Sequence, residues 1–165
     1  MKTTIVVLAL TAVTTVALSN RFARGNSSEQ VARKVVIALK KSSPEAYTAL
    51  FPTLEEFHQI MDENSVVYGE TLNAAKEEFA NHYENEILPA LKEEFARILS
   101  EGKEKGIDWS AISYERIEYS KPQGNKLTRP LTIVFSSKGK EHHLQIDNAF
   151  ILHEEWRVGQ SIRLM

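Results

Sequence analysis

The last third of the chain alternates between apolar and polar residues, and this alternation constrains the fold more than any other stretch. Between Leu131 and Leu164, three runs place apolar side chains at every second position. They are Leu131, Ile133 and Phe135, then Leu144, Ile146, Phe150 and Leu152, and finally Trp156, Val158, Ile162 and Leu164. A period of two is typical of a β-strand that buries one face and exposes the other. The pattern therefore predicts three antiparallel strands.

The same alternation limits how these strands can pair, because directly opposed residues point to the same face of a sheet. The turn between the first two runs needs an even number of residues, which Lys138-Gly139 or Gly139-Lys140 supplies. The last turn needs an odd number, and His153-Glu154-Glu155 is the simplest choice. The resulting register places Leu152 opposite Trp156, Phe150 opposite Val158, Asn148 opposite Gln160 and Ile146 opposite Ile162.

Two amides interrupt the apolar face in this register. Asn148 and Gln160 are its polar members, and they face each other across the last predicted hairpin. Buried amides cost free energy unless they form hydrogen bonds. They therefore form a satisfied pair, or mark a local β-bulge, or line the floor of a binding pocket. We add Tyr114, from the aromatic residues of the sheet, to this candidate ligand-binding set.

The N-terminus has the composition of a secretory signal. Lys2 precedes an apolar run that continues to Leu18, and small residues stand at Ala17 and Ser19. The run is shorter than the about 20 residues that a membrane-spanning helix needs. We therefore expect a cleaved signal peptide over 1–19, a flexible lead-in over 20–26 and one domain over 27–165. The expected location is periplasmic or secreted, without stable membrane insertion after cleavage.

Composition fits a folded domain and narrows its chemistry. Charged residues make up 25% of the chain and hydrophobic residues 42%, as in globular proteins. The formal net charge of −2 does not favour binding to nucleic acid. The sequence contains no cysteine, so disulfides and a thiol nucleophile are excluded.

The central part of the chain reads as helices with recognisable start signals. Ser27 and Gln30 fit a capping box, and the first helix is predicted to run to about Lys41. Ser43-Pro44 opens a short second helix, and Thr53 with Glu56 forms another capping box. Val66-Val67 is read as a small strand or a loop. From Glu70 to Ser100 one long helical stripe follows, with Pro89 predicted to kink or divide it near Asn85.

Helices followed by strands indicate an α+β fold, in which N-terminal helices pack on a curved four-stranded antiparallel sheet. The first strand lies near Tyr114 to Tyr119, where Ile112 and Tyr114 differ in parity from Ile117 and Tyr119. A β-bulge between the two pairs, or an edge position with a swapped face, would explain that mismatch.

This arrangement resembles the cystatin-like/NTF2-like α+β superfamily, and in particular its small exported bacterial members. The likeness rests on the capped helix Ser27–Lys41, the Phe51-Pro52 break and the closing hairpin from Phe150 to Val158. The resemblance implies helices that close over a concave sheet, often around a conical cavity. Some relatives are isomerases or dehydratases with Asp/His pairs, and many others are binding or association modules. No catalytic pair transfers to a position of this chain.

Motifs for specific chemistry are missing from the sequence. It has no G-x-S-x-G, Walker or G-x-G-x-x-G pattern. His142 and His143 are adjacent on a strand and should point to opposite faces, so we predict no metal site and no cofactor. His82 and Glu86 are expected to form a solvated helix contact.

Three functional hypotheses follow. The leading one is a non-enzymatic exported domain that binds a small molecule or a protein, with a homodimer through the sheet as one form of association. The second is a small pocket enzyme of the isomerase or lyase type. The third is an inhibitor or assembly subunit that uses an exposed surface of the sheet. An enzyme predicts a desolvated carboxylate or histidine in a pocket, and an assembly subunit predicts an apolar patch elsewhere.

Overall fold

The structure, a computed structural model, describes residues 28–119, 129–153 and 155–165. The predicted signal peptide, the lead-in and the Ser27 cap lie outside these described residues. The helices are α1 Ser28–Lys40, α2 Pro44–Thr48, α3 Leu54–Glu63, α4 Ser65–Tyr68, α5 Leu72–His82 and α6 Leu88–Glu104. Short 3-10 turns cover Gly69–Thr71 and Trp109–Ala111, and a π-helical segment, Tyr83–Ile87, joins α5 to α6.

Local start signals set the helix boundaries as predicted. Ser43 Oγ accepts the backbone N–H of Ala46 at the start of α2. Thr53 and Glu56 form the predicted capping box at the start of α3, with each side chain accepting the other's backbone N–H. The interpretation of Val66-Val67 as a strand or loop was wrong, since both lie in the helical turn α4. Turn-length helices lack the repeated apolar spacing that would reveal them.

The predicted interruption of the long helix is confirmed. Pro89 stands in the first turn of α6, and the π-helical segment that precedes it contains Asn85. Proline has no N–H to give to the carbonyl four residues back, and its ring crowds that carbonyl. The wider π turn accommodates this while the chain stays helical. The two helices therefore meet end to end.

Five antiparallel strands form one sheet, so the fold is α+β as predicted. They are β1 Ser113–Tyr119, β2 Arg129–Ser137, β3 Lys140–Leu152, β4 Glu155–Val158 and β5 Ile162–Leu164, in the order β1-β2-β3-β4, with β5 also paired to β3. The predicted fourth strand is thus divided in two. Lys138-Gly139 forms the predicted two-residue turn, with φ of 51° and 76°. The predicted bulge in β1 lies between Tyr114 and Arg116.

The predicted register of the last hairpin is correct only for Ile146 opposite Ile162. Leu152 pairs with Glu155 and Phe150 with Arg157, one residue away from the prediction. A two-residue turn, with His153 at φ 46°, replaces the predicted three-residue loop. The error arises because the parity argument treated the strands as uninterrupted.

A β-bulge in β3 is the physical reason for that error. The register of β3 against β2 shifts between the pairs Leu131–Ile146 and Arg129–Ala149, so β3 carries one extra residue there. Beyond it the faces exchange: Ala149 joins the same core as Ile146, whereas its neighbour Phe150 points to the other side. The single apolar face predicted for β3 is therefore wrong beyond Ile146.

Two apolar clusters result from this exchange. The main core joins α1, α2, α6 and the inner face of the sheet, and its largest fully buried members are Tyr47, Phe135, Leu39, Ile98, Ile112, Leu131, Ile133, Leu144, Ile146 and Ile162. The second core joins α3, α5 and the π-helical segment to the far end of β3, through Phe57, Ile60, Met61, Phe79, Tyr83, Phe150 and Leu152. One strand thus supports two helical layers, one on each side of its bulge.

Candidate functional site

The structure places Tyr114 apart from the other two sequence-predicted site residues, whereas backbone hydrogen bonds join the segments that carry Asn148 and Gln160. Tyr114 pairs with Phe135, which pairs with His142 on β3. Asn148 lies six residues further along β3, in the bulge, and Gln160 is exposed between β4 and β5. Tyr114 instead lies under the guanidinium of Arg33, whose Cζ is 4.1 Å from the ring centroid.

Asn148 retains one feature expected of a residue that contacts a ligand, a buried side-chain oxygen, Oδ1, without a partner among the described protein atoms. The backbone N–H of Gly159 donates to the backbone carbonyl oxygen of Asn148 at 2.8 Å, so the interruption between β4 and β5 is fastened to the bulge. Because Gln160 is exposed, the alternative of a buried Asn148–Gln160 pair is not realised. A ligand role for Asn148 stays a prediction.

A separate cleft opens at one end of the sheet, where α6, the following loop and the β2–β3 turn meet. Its volume is about 560 Å³, and its lining is Ser42, Leu99, Ser100, Lys103, Gly106, Ile107, Asp108, Trp109 and Lys138. The apolar part of this lining is contributed by Leu99, Ile107 and Trp109, and the polar part by lysines, serines and one carboxylate. We call it the lysine cleft.

The floor of the lysine cleft is rigidly built. The Trp109 ring stacks on Phe135 with centroids 5.7 Å apart, and Phe135 stacks on His142 at 5.5 Å. The indole Nε1–H of Trp109 donates to the carbonyl of Leu99 at 2.9 Å. Gly102 leaves the space that the indole occupies, since a methyl group at that position would overlap the ring. The apolar floor is therefore fixed before any ligand arrives.

The charges at the lysine cleft favour an anion. Lys138 lies 3.9 Å from Asp108 with its side chain 67% exposed, and Lys103 has no ion pair within the described ranges. Asp108 accepts the Ser110 hydroxyl at 2.7 Å, and this hydrogen bond, with the nearby charge of Lys138, lowers the pKa of its carboxyl. Asp108 is thus ionised at neutral pH and is not set up to donate a proton.

The histidines differ in their surroundings, and Nε2 of His58 is buried without a hydrogen-bond partner among the described protein atoms. His142 and His143 lie on opposite faces as predicted, since His142 pairs with Phe135 and His143 with Val134. Partial burial and the charge of Lys140 lower the pKa of His142, which keeps its imidazole neutral. The predicted helix contact between His82 Nδ1 and Glu86 Oε1 is present at 3.2 Å. Over the described residues, no group of three or more His, Asp or Glu side chains is placed to hold a metal ion.

Comparisons with protein-family models, with curated proteins and with solved structures found no match to this chain. Among the helices of the described ranges, none is long and apolar enough to cross a membrane.

The lysine cleft could not be predicted from the sequence because its residues come from three separate parts of the chain. Ser42, Lys103, Asp108 and Lys138 form no motif, and isolated lysines are usually solvated surface residues. One signal was available: Gly102 comes two residues after the predicted helical stripe and seven before Trp109, and the structure places it inside α6. A glycine at such a position often marks a close packing contact.

Proposed function

We propose that this chain is a non-catalytic binding domain whose lysine cleft takes a small organic anion with an apolar body. The observation that carries the proposal is the juxtaposition of Lys103 and Lys138 with the apolar surface of Leu99, Ile107 and Trp109. Ligand sites typically combine an apolar lining with a few polar groups that fix orientation. A carboxylate would bind the two ammonium groups, and its apolar chain would lie against the indole.

A binding role is favoured over acid–base catalysis by the state of the cleft carboxylate. A general acid at neutral pH needs a raised pKa, which burial in an apolar pocket usually provides. The pKa of Asp108 is instead lowered by its hydrogen bond from Ser110. Asp108 is therefore a carboxylate beside Lys138, 3.9 Å away, and not a proton donor at neutral pH.

Titration with three matched six-carbon probes tests the proposal: hexanoate, hexanol and hexylammonium. The readout is Trp109 fluorescence in a Trp156→Phe background, which leaves one tryptophan in the chain. We expect a saturable change with hexanoate, a weaker one with hexanol and none with hexylammonium. Equal responses to the two charged probes, or no response to hexanoate, would refute the proposal.

Charge-removal variants locate the site. Lys103→Gln and Lys138→Gln should each weaken hexanoate binding about fivefold to tenfold, because each removes one charge-assisted contact. Lys92→Gln is the matched control, since Lys92 is an exposed lysine of the same helix outside the cleft lining. The control should leave hexanoate affinity unchanged.

Export and family membership belong to the same proposal. Residues 1–19 carry the composition of a signal peptide, so we propose a periplasmic or secreted protein. Mass spectrometry of the chain recovered from its host would show whether the N-terminus begins near Asn20. The α+β arrangement is in keeping with a cystatin-like/NTF2-like domain, in which binding and association roles are common.

A further inference from the structure

Strand β1 is one end of the sheet, and its outer edge faces no other described strand. The sheet order is β1-β2-β3-β4, so β1 pairs only with β2 in the described ranges. Every second residue of an edge strand directs its N–H and C=O away from the sheet, where another strand can pair with them. This edge therefore offers backbone hydrogen bonds to a partner.

The side chains of β1 alternate between the inner and the outer face of the sheet. Ile117 pairs with the core residue Ile133 and itself packs against the main core, so it points inward. Arg116 and Glu118, its two neighbours, point to the outer face of the sheet. Their side chains are each 48% exposed. Arg116 Nη2 and Glu118 Oε1 lie 2.9 Å apart, so these opposite charges already form an ion pair within the chain, on the open face of an edge strand.

We propose that two copies of this chain associate through their β1 edges, as an antiparallel pair about a two-fold axis at Ile117. This register forms two symmetry-related contacts, each with Arg116 of one copy opposite Glu118 of the other. Opposite charges directly across a strand pair stabilise it, and like charges destabilise it. The interface is self-complementary, as a two-fold symmetric contact must be.

Neighbouring registers lack this complementarity. A two-fold axis at Arg116 puts two arginines in direct opposition, and an axis at Glu118 puts two glutamates there. A shift by a single residue would set inward-facing side chains against outward-facing ones. The register centred on Ile117 is therefore favoured both by charge and by facing.

Features on either side confine the contact. The bulge between Tyr114 and Arg116 bends the strand, which limits regular pairing to its second half. Tyr119 closes that half with a ring that is 54% exposed, although its hydroxyl lies 2.8 Å from Ser28 Oγ. A second copy would cover part of this apolar surface. The association is small, and we expect it to be concentration-dependent.

Charge reversal gives a decisive test by sedimentation velocity over about 1 µM to about 1 mM of the purified chain. Arg116→Glu puts glutamates opposite glutamates, and Glu118→Arg puts arginines opposite arginines, so each should weaken self-association about tenfold or more. A mixture of the two variants restores both opposite-charge pairs and should form a heterodimer. The double variant R116E/E118R should also regain self-association.

Glu141 provides the control, because Arg116 Nη1 also binds its carboxylate within the same chain at 2.8 Å. Glu141→Gln removes that contact without changing the proposed contact between copies, so association should persist. The proposal is overturned if the unaltered chain stays monomeric, which would leave the edge to a strand of another protein. It is also overturned if the two reversed variants do not associate when mixed, or if E141Q dissociates the pair as R116E does.

Discussion

Glu94 joins two separate parts of the main core through one carboxylate oxygen. Its Oε1 accepts the hydroxyl of Tyr47 at 2.5 Å and the backbone N–H of Ile162 at 3.1 Å. Tyr47 is fully buried in α2, and Ile162 begins β5. Tyr47 and Ile162 are 115 positions apart in the sequence (162 − 47). The carboxylate of Glu94 thus holds the short helix α2 and the last strand β5 to α6.

Replacing Tyr47 with phenylalanine should destabilise the protein while keeping the ring contacts with Phe51 and Phe95. A hydrogen bond to a charged group typically contributes about 1.5–3 kcal/mol, so we expect a loss of about 2 kcal/mol in the free energy of unfolding. Urea unfolding measures it. Tyr68→Phe is the matched control, since Tyr68 lies at the surface end of the second core. A loss for Y47F no larger than for Y68F would contradict this role of the contact.

The same contact predicts a loss of stability at alkaline pH. Burial and the hydrogen bond to Glu94 raise the pKa of Tyr47 far above its ordinary value of 10.0. A raised pKa means that the folded state retains a proton which the unfolded state releases, so this contribution is complete below about pH 10 and declines above it. The slope approaches about 1.4 kcal/mol per pH unit for one group. Unfolding measurements between pH 9 and pH 11 should give a shallower slope for Y47F than for the unaltered chain.

Short-range chemistry made most of the fold predictable. Ser43, Thr53, Pro89 and Gly139 each act on their own turn or helix end, and each predicted boundary is present. The order of helices before strands then sufficed for the α+β class. The bulge in β3 was one alternative that the sequence left open at Asn148, and no local pattern selected it. It is stabilised by contacts of Asp147 with Ser161 and Arg163, which come from a segment 14 or more positions away.

The candidate site was predicted less well than the fold for a related reason. Asn148 was singled out as facing a buried Gln160, but Gln160 is exposed, although backbone hydrogen bonds from Gly159 to Asn148 and from Asp147 to Ser161 hold the two segments together. The lysine cleft depends on where α6 ends relative to the β2–β3 turn, which places Lys103 and Lys138 in the lining of one cleft. No local pattern encodes that placement. Surface clefts built from distant segments are visible only in three dimensions.

Gly102→Ala should destabilise the protein even though alanine favours helices. The added methyl group would overlap the Trp109 ring, and overpacking typically costs about 1–3 kcal/mol. The gain of about 1 kcal/mol in helix propensity offsets only part of this. In a double-mutant cycle, G102A/W109F should lose less stability than the two single variants lose together, because the phenylalanine ring is smaller than the indole. Thermal unfolding gives all four values, and strict additivity would contradict the proposed overlap.

Arg157 joins β4 to the start of α3. Its replacement by methionine should change how the free energy of unfolding depends on pH in the acid range. Its guanidinium Nη2 and Nε bind Glu56 Oε1 at 2.8 and 3.0 Å, with both side chains about 16% exposed or less. Partial burial raises the pKa of Glu56, but the hydrogen bonds from Arg157 and Thr53 outweigh it and lower the pKa overall. A lowered pKa contributes stability above about pH 4.5 that is lost as the pH falls through the folded-state value.

We therefore expect Arg157→Met to cost about 2 kcal/mol at pH 7, because it leaves Glu56 partly buried without its cation. The cost should shrink as the pH falls below about 4.5, where the unfolded chain takes up the proton, and on through the lowered folded-state pKa of Glu56. Urea unfolding at several pH values measures both effects. Arg97→Met is the matched control, since Arg97 forms an exposed ion pair with Glu101 four residues on and should lose less than about 0.5 kcal/mol. A loss for R157M that stays constant down to pH 3 would show that Arg157 acts through packing of its side chain rather than through Glu56.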